Sequence, residues 1–140
     1  MAMEPWKKAQ EDLKKELNKI TRKDFLFRSF ADTYSAGGKA ILPDQPSDFW
    51  ALDCGKYYVL EVKSCHQPKF YFKDIRPSQM IAARRVPAAG GYSRFLITHL
   101  PENRWHVLDG SLIYQMKEAG EVGITWDQMT PIKLDWENIK

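Results

Sequence analysis

With 140 residues, of which 44% are hydrophobic and 13% aromatic, the chain is too apolar for a disordered protein and long enough to bury a core without disulfides or a structural metal. Its 28% charged residues, and the lack of any apolar run approaching membrane-spanning length, argue against a membrane protein and for one soluble domain over residues 1–140. A net charge of +3 names no polyanionic partner by itself, but its distribution is uneven. Lys56 to Arg104 holds nine basic residues against three acidic, whereas Glu118 to Lys140 holds five acidic against two basic. A positive middle suits a face presented to phosphates, and equally a solvated charged surface.

The first residues, Met1 to Pro5, lack the basic region and apolar stretch of a secretory signal, so the expected compartment is the cytoplasm of a bacterial or phage-infected cell. Cys54 and Cys65 are expected to be reduced thiols there.

In chain order, Trp6, Ala9, Leu13, Leu17 and Ile20 recur at helical spacing after Pro5 and predict an amphipathic helix over residues 5–20. A short aromatic strand follows from Phe25 to Phe30. The stretch from Asp32 to Pro46, with Gly37-Gly38, Pro43 and Pro46, reads as a long loop. Asp48 to Asp53 and Lys56 to Lys63 then read as a hairpin turning at Cys54-Gly55. Alternation places Tyr57, Val59, Glu61 and Lys63 on one face of the second strand and Tyr58, Leu60 and Val62 on the other.

Pro77 opens a helix expected to run to about Val86, with Pro87 and Gly90-Gly91 stopping it. Tyr92 to Thr98 and Trp105 to Leu108 read as strands, and Asp109 as the cap of a helix through Leu112, Ile113 and Met116. Beyond Gly120, Trp126, Met129, Ile132, Leu134 and Trp136 predict a tail that packs. The order predicts an α/β fold with a mixed central β-sheet flanked by helices.

The chemistry concentrates in Pro46-Ser47-Asp48 and Glu61-Val62-Lys63. Two carboxylates converging from adjacent strands suit Mg²⁺ or Mn²⁺, hard cations that prefer oxygen ligands. Such a metal polarises a phosphate and generates hydroxide, and a neighbouring lysine orients that water or offsets developing negative charge. A charged sheet edge is the competing account. Cys54 and Cys65-His66 lack a second pair at zinc-ligand spacing, and Gly37-Gly38-Lys39 lacks the spacing of a nucleotide-binding loop, so neither zinc nor a nucleotide cofactor is expected.

Taken with Gln45 and Phe49, Gly55-Lys56-Tyr57, Leu60 and Ser64, Phe70-x-Phe72, and Ile75-x-x-x-Gln79, these motifs resemble the PD-(D/E)XK nuclease superfamily over residues 25–108. Within it they resemble the Holliday-junction resolvases of RecU-like, archaeal and phage types. The resemblance implies a restriction-endonuclease-like fold in which Asp48, Glu61 and the Val62 carbonyl bind Mg²⁺ or Mn²⁺ and Lys63 is the catalytic lysine. Gln79 is then expected beside the site, contacting the phosphate or its water.

Arg28, in Phe27-Arg28-x-x-x-Asp32, is expected to hold a phosphate or to form a structural ion pair. Ser47, Lys69, Lys73 and Arg76 complete the expected DNA contacts. The family adds an acidic residue from its first helix. Here Gln10 falls at that position, on the face of Trp6, Leu13 and Leu17, while the neighbouring Glu11 points away and is carried as the acidic candidate.

The implied activity is metal-dependent cleavage of branched double-stranded DNA by a homodimer, with no membrane partner. Two alternatives stand beside it. One is a nuclease of the same fold acting on another substrate, of homing, restriction or end-processing type; the other is an inactive DNA-binding module.

Overall fold

The computed structural model describes residues 3–30 and 45–140; residues 32–44 of the expected loop, Asp32 among them, lie outside these. The elements in order are α1 (Pro5–Asn18), β1 (Phe25–Ser29), β2 (Phe49–Asp53), β3 (Lys56–Cys65), β4 (Lys69–Tyr71), α2 (Pro77–Ala88), β5 (Tyr92–His99), β6 (Arg104–Asp109), α3 (Gly110–Glu118), β7 (Gly123–Thr125), β8 (Pro131–Ile132) and α4 (Trp136–Ile139). Six strands form a mixed sheet in the order β1-β2-β3-β5-β6-β8, and β4 pairs with β7 in a separate ribbon. Within the large sheet β3 and β5 run parallel, with α2 in the connection between them, and the other pairs are antiparallel.

The β2–β3 turn forms where expected. Cys54 and Gly55 both have positive φ, 50° and 84°, as a two-residue hairpin with the right-handed strand twist requires. The alternation read from β3 is also observed. Tyr58, Leu60 and Val62 join Ala9, Leu13 and Leu17 of α1 in one core, together with Trp136 of α4. The opposite core gathers Met80 and Ala83 of α2, Ile113 of α3, and Phe70, Phe72, Phe95 and Ile97. Leu13 and Leu17 are fully buried, which contributes roughly 1.5–3 kcal/mol each and fixes α1 against the sheet.

Three readings are corrected. The first helix ends at Asn18 rather than residue 20. The second runs through Pro87 to Ala88, because a proline in the last turn forfeits one N–H without breaking the turns before it. What ends it is Gly90, at φ 96°, whose N–H bonds Pro87 O while Gly91 N–H bonds Val86 O, a Schellman closure. The tail, left without elements by the sequence, contains β7, β8 and α4, too short for periodicity to register. It packs as expected, with Met129 and Trp136 buried.

At the hairpin end of the sheet, Asp53 accepts hydrogen bonds from Arg22 Nη1 at 2.9 Å and from the Trp136 indole N–H at 2.8 Å. The Arg22 bond foremost, then the indole, hold its carboxyl down at about 2. A depressed carboxylate stabilises the fold fully above its unfolded pKa, and that contribution disappears as pH falls through the folded value. Asp53→Asn is therefore expected to cost about 1–3 kcal/mol at neutral pH. In urea denaturation the gap between wild type and variant should close between about pH 4 and about pH 2; a gap independent of pH would contradict this role.

Candidate active site

β2 and β3 stay in register as far as Phe49↔Leu60, and there β2 begins. One residue earlier, Asp48 N–H bonds Leu60 O at 3.1 Å, and its carboxylate Oδ2 accepts the Val62 N–H at 2.8 Å. The side chain thus occupies the place of the next ladder bond along β3. Its other oxygen, Oδ1, accepts from Gln10 Nε2 of α1 at 3.1 Å. Asp48 is held by one donor from β3 and one from α1.

Glu61 sits next to Val62 on β3, 4% exposed, with its Oε1 3.5 Å from Lys63 Nζ. Its Oε2 is buried with no hydrogen-bond partner. Lys63 also donates to the Asp74 carbonyl at 3.2 Å, which fixes the ammonium between the carboxylate and the turn leading into α2. Burial first, then the charge of Asp48, push the Glu61 carboxyl well above the ordinary range, against the opposing pull of Lys63 and Arg76. Asp48 is raised as well, chiefly by burial, with the Val62 N–H, a side-chain hydrogen bond with Glu61, and then Lys63 and Arg76 working in the other direction. Two desolvated carboxylates, one with an unsatisfied oxygen, fit a hard cation, whose charge would offset both the burial and the mutual repulsion.

Of the residues singled out from the sequence, Asp48, Glu61 and Lys63 converge, and Arg76 at the start of α2 acts electrostatically on both carboxylates. Gln79 is 1% exposed, and its Oε1 accepts the Arg76 N–H at 3.0 Å. That is the reciprocal half of a capping box, so the glutamine braces the helix start that carries Arg76. Gln10, and not Glu11, reaches Asp48; Glu11 is exposed, because helical geometry turns it off the buried face.

Ser47, expected as a DNA contact, is buried, and its hydroxyl donates to the Phe49 carbonyl at 2.8 Å. Arg28 lies exposed on edge strand β1 and donates to the Phe27 carbonyl at 2.7 Å. The ammoniums of Lys69 and Lys73 lie 5.4 and 5.3 Å from the Tyr71 ring centre, on the segment leading to Asp74. The sequence missed the Asp74 carbonyl as a brace for Lys63, because a backbone acceptor leaves no signature in residue type.

Among the described residues one group of three acidic or thiol side chains, away from Asp48 and Glu61, has ligand atoms within 4.8 Å of one another: Asp24, Asp53 and Cys54. Arg22 bonds both of its carboxylates, at 2.7 and 2.9 Å, and Lys140 lies 3.8 Å from Asp53, so the two negative charges are matched from within the chain.

No protein-family model matches the chain, and neither does any curated protein sequence. The structure is similar to that of Hjc from Archaeoglobus fulgidus, a Holliday junction resolvase from an archaeal hyperthermophile. The TM-score is 0.56 at 19% identity, and the match covers 87% of this chain and 89% of that one. The chain shares the fold of that protein, a mixed central sheet flanked by helices. Within that fold the site stands just before the start of β2, where the Asp48 carboxylate caps the Val62 N–H. Among the described residues no helix is long and apolar enough to cross a membrane.

The raised Glu61 carboxyl has a stability consequence of definite sign. A group whose pKa is higher folded than unfolded stabilises below its unfolded value and loses that contribution as pH rises through the folded one. In a chelating buffer, thermal stability is expected to decline as pH rises above the ordinary carboxylate range, and Glu61→Gln should flatten that decline. Melting curves of the two proteins across pH test this; parallel profiles would refute it.

Proposed function

We propose that the chain is a metal-dependent endonuclease that hydrolyses phosphodiester bonds in branched double-stranded DNA, acting as a Holliday-junction resolvase. The supporting observation is the Asp48–Glu61 pair, with its unsatisfied buried oxygen beside Lys63, inside a fold similar to that of an archaeal junction resolvase. We further propose that residues 1–140 act as one nuclease domain and that two copies pair, because a four-way junction is resolved by two symmetric cuts.

Asp48, Glu61 and the Val62 carbonyl are the residues to hold Mg²⁺ or Mn²⁺. Val62 fits this role because its N–H already faces the edge beyond the start of β2, and the carbonyl of the same strand residue faces the same way. When bound, the ion supplies a Lewis acid for the phosphate and a water of lowered pKa. The protein's own groups do the rest. Lys63, fixed between Glu61 and the Asp74 carbonyl, presents a cation to the scissile phosphate and to charge developing on the leaving oxygen. Arg76, braced by Gln79, adds a second positive charge at the mouth of the site. Lys69 and Lys73 lie along the segment that brings the strand to it, positioned for phosphate contacts that carry no sequence information.

Cleavage of four-way junction, flap, linear duplex and single-stranded DNA with Mn²⁺ tests this reading. The junction is expected to be cut preferentially, and Glu61→Gln and Lys63→Ala should each reduce cleavage by about 10²-fold or more while leaving DNA binding in place. Equal cutting of linear duplex would remove the resolvase assignment and leave a nuclease of the same fold. A wild-type protein that binds all four and cuts none would instead be a DNA-binding module, a reading that Gln10 in place of a third carboxylate favours.

A further inference from the structure

We infer that Gln10 is a positioning residue that sets how tightly the Asp48–Glu61 pair takes a divalent cation, an inference that rests on the metal-dependent reading of this site. The first support is geometric. Ala9, Leu13 and Leu17 are buried against the sheet, so α1 is fixed and Gln10 stands at the border of its buried face. An ionised carboxylate only accepts, so the amide must present its nitrogen, and Nε2 lies 3.1 Å from Asp48 Oδ1. With Val62 N–H on Oδ2 at 2.8 Å, each oxygen has one fixed donor and the carboxylate plane cannot turn freely. Gln10 is the donor from α1 that fixes Oδ1, alongside the electrostatic coupling of Asp48 to Glu61.

The second support is the charge balance. Asp48 and Glu61 face Lys63, 3.5 Å from Glu61, and Arg76, whose charge reaches both carboxylates. Two anions set against two cations make a weak trap for a doubly charged ion, and affinity at oxygen sites is tuned by the number of charged ligands. Gln10 is isosteric with glutamate and touches Asp48, yet it brings no charge. Glu61 Oε2, buried and without a partner, independently indicates that this cluster is built to receive something from outside the chain. The site is therefore aligned by an amide and held one carboxylate short, an arrangement that favours weak, readily reversible metal binding.

Calorimetric titration of Mn²⁺ into the DNA-free full chain tests the inference on wild type, Gln10→Glu, Gln10→Ala and, as a control for the site, Asp48→Asn. Gln10→Glu is expected to tighten binding about tenfold, and Gln10→Ala to weaken it about tenfold. Melting in chelator reports separately on folding, and the alanine variant carries the test should the added charge of glutamate unfold the site. Two variants that bind Mn²⁺ as wild type does would overturn the inference while leaving the metal-dependent reading intact. A wild type that binds none, beside a Gln10→Glu that does, would remove metal dependence from the natural chain and uphold the role of Gln10. No binding by any of them would end both.

Discussion

The bond from the Val62 N–H to the Asp48 carboxylate is the contact on which the rest of the site depends. An antiparallel pair ordinarily continues until one strand turns away, and the first unpaired groups of its partner are left to water. Here β2 starts at Phe49, one residue too late to continue the ladder, and an aspartate side chain takes the position its backbone would have held. The substitution brings a negative charge onto a sheet edge between two helices. It also sets Asp48 beside Glu61, whose direction is fixed by the pleat of β3, and orders the carboxylate that Gln10 then completes from α1. Strand registry thereby sets the two carboxylates side by side.

That registry explains what could be read from the chain and what could not. Glu61 and Lys63 were legible because period-two alternation puts residues two apart on one face, and a face that mixes Val59 with an acid and a lysine stands out. Asp48 was legible because it precedes an apolar strand opposite them. Gln10 was half legible: the helical period gave its face, and the identity of what it touches depends on how α1 packs across β3, a tertiary fact. Ser47 misled because its residue type suggests a polar contact, whereas burial beside Phe49 turned its hydroxyl inward. Gln79 was expected to contact a phosphate or its water, and its Oε1 instead accepts the Arg76 N–H as part of a helix cap. The short strands of the tail exist only by pairing with distant partners, β7 with β4 and β8 with β6, so no local pattern marks them.

The two ends of the β2–β3 hairpin face the same electrostatic difficulty and resolve it in opposite ways. Asp53, at the turn, is buried, and it is satisfied from within the chain by Arg22, by the Trp136 indole and, at 3.8 Å, by Lys140. Its carboxyl is held down at about 2, and an ionised group so well matched has nothing to gain from an external cation. Asp48 and Glu61, at the open end, are also buried, but their pKa values are driven upward because the donors on hand do not compensate for desolvation and for each other. Along a strand rising about 3.3 Å per residue the clusters are on the order of 17 Å apart, too far for the donors of one to reach the carboxylates of the other. A pair of acids lowered and neutralised is part of the scaffold; a pair raised and left short of one partner stores a demand for positive charge. The chain concentrates that demand beside Lys63 and Arg76, so under the proposed function the location that is hardest to stabilise is the one that would take up a dication and a DNA phosphate.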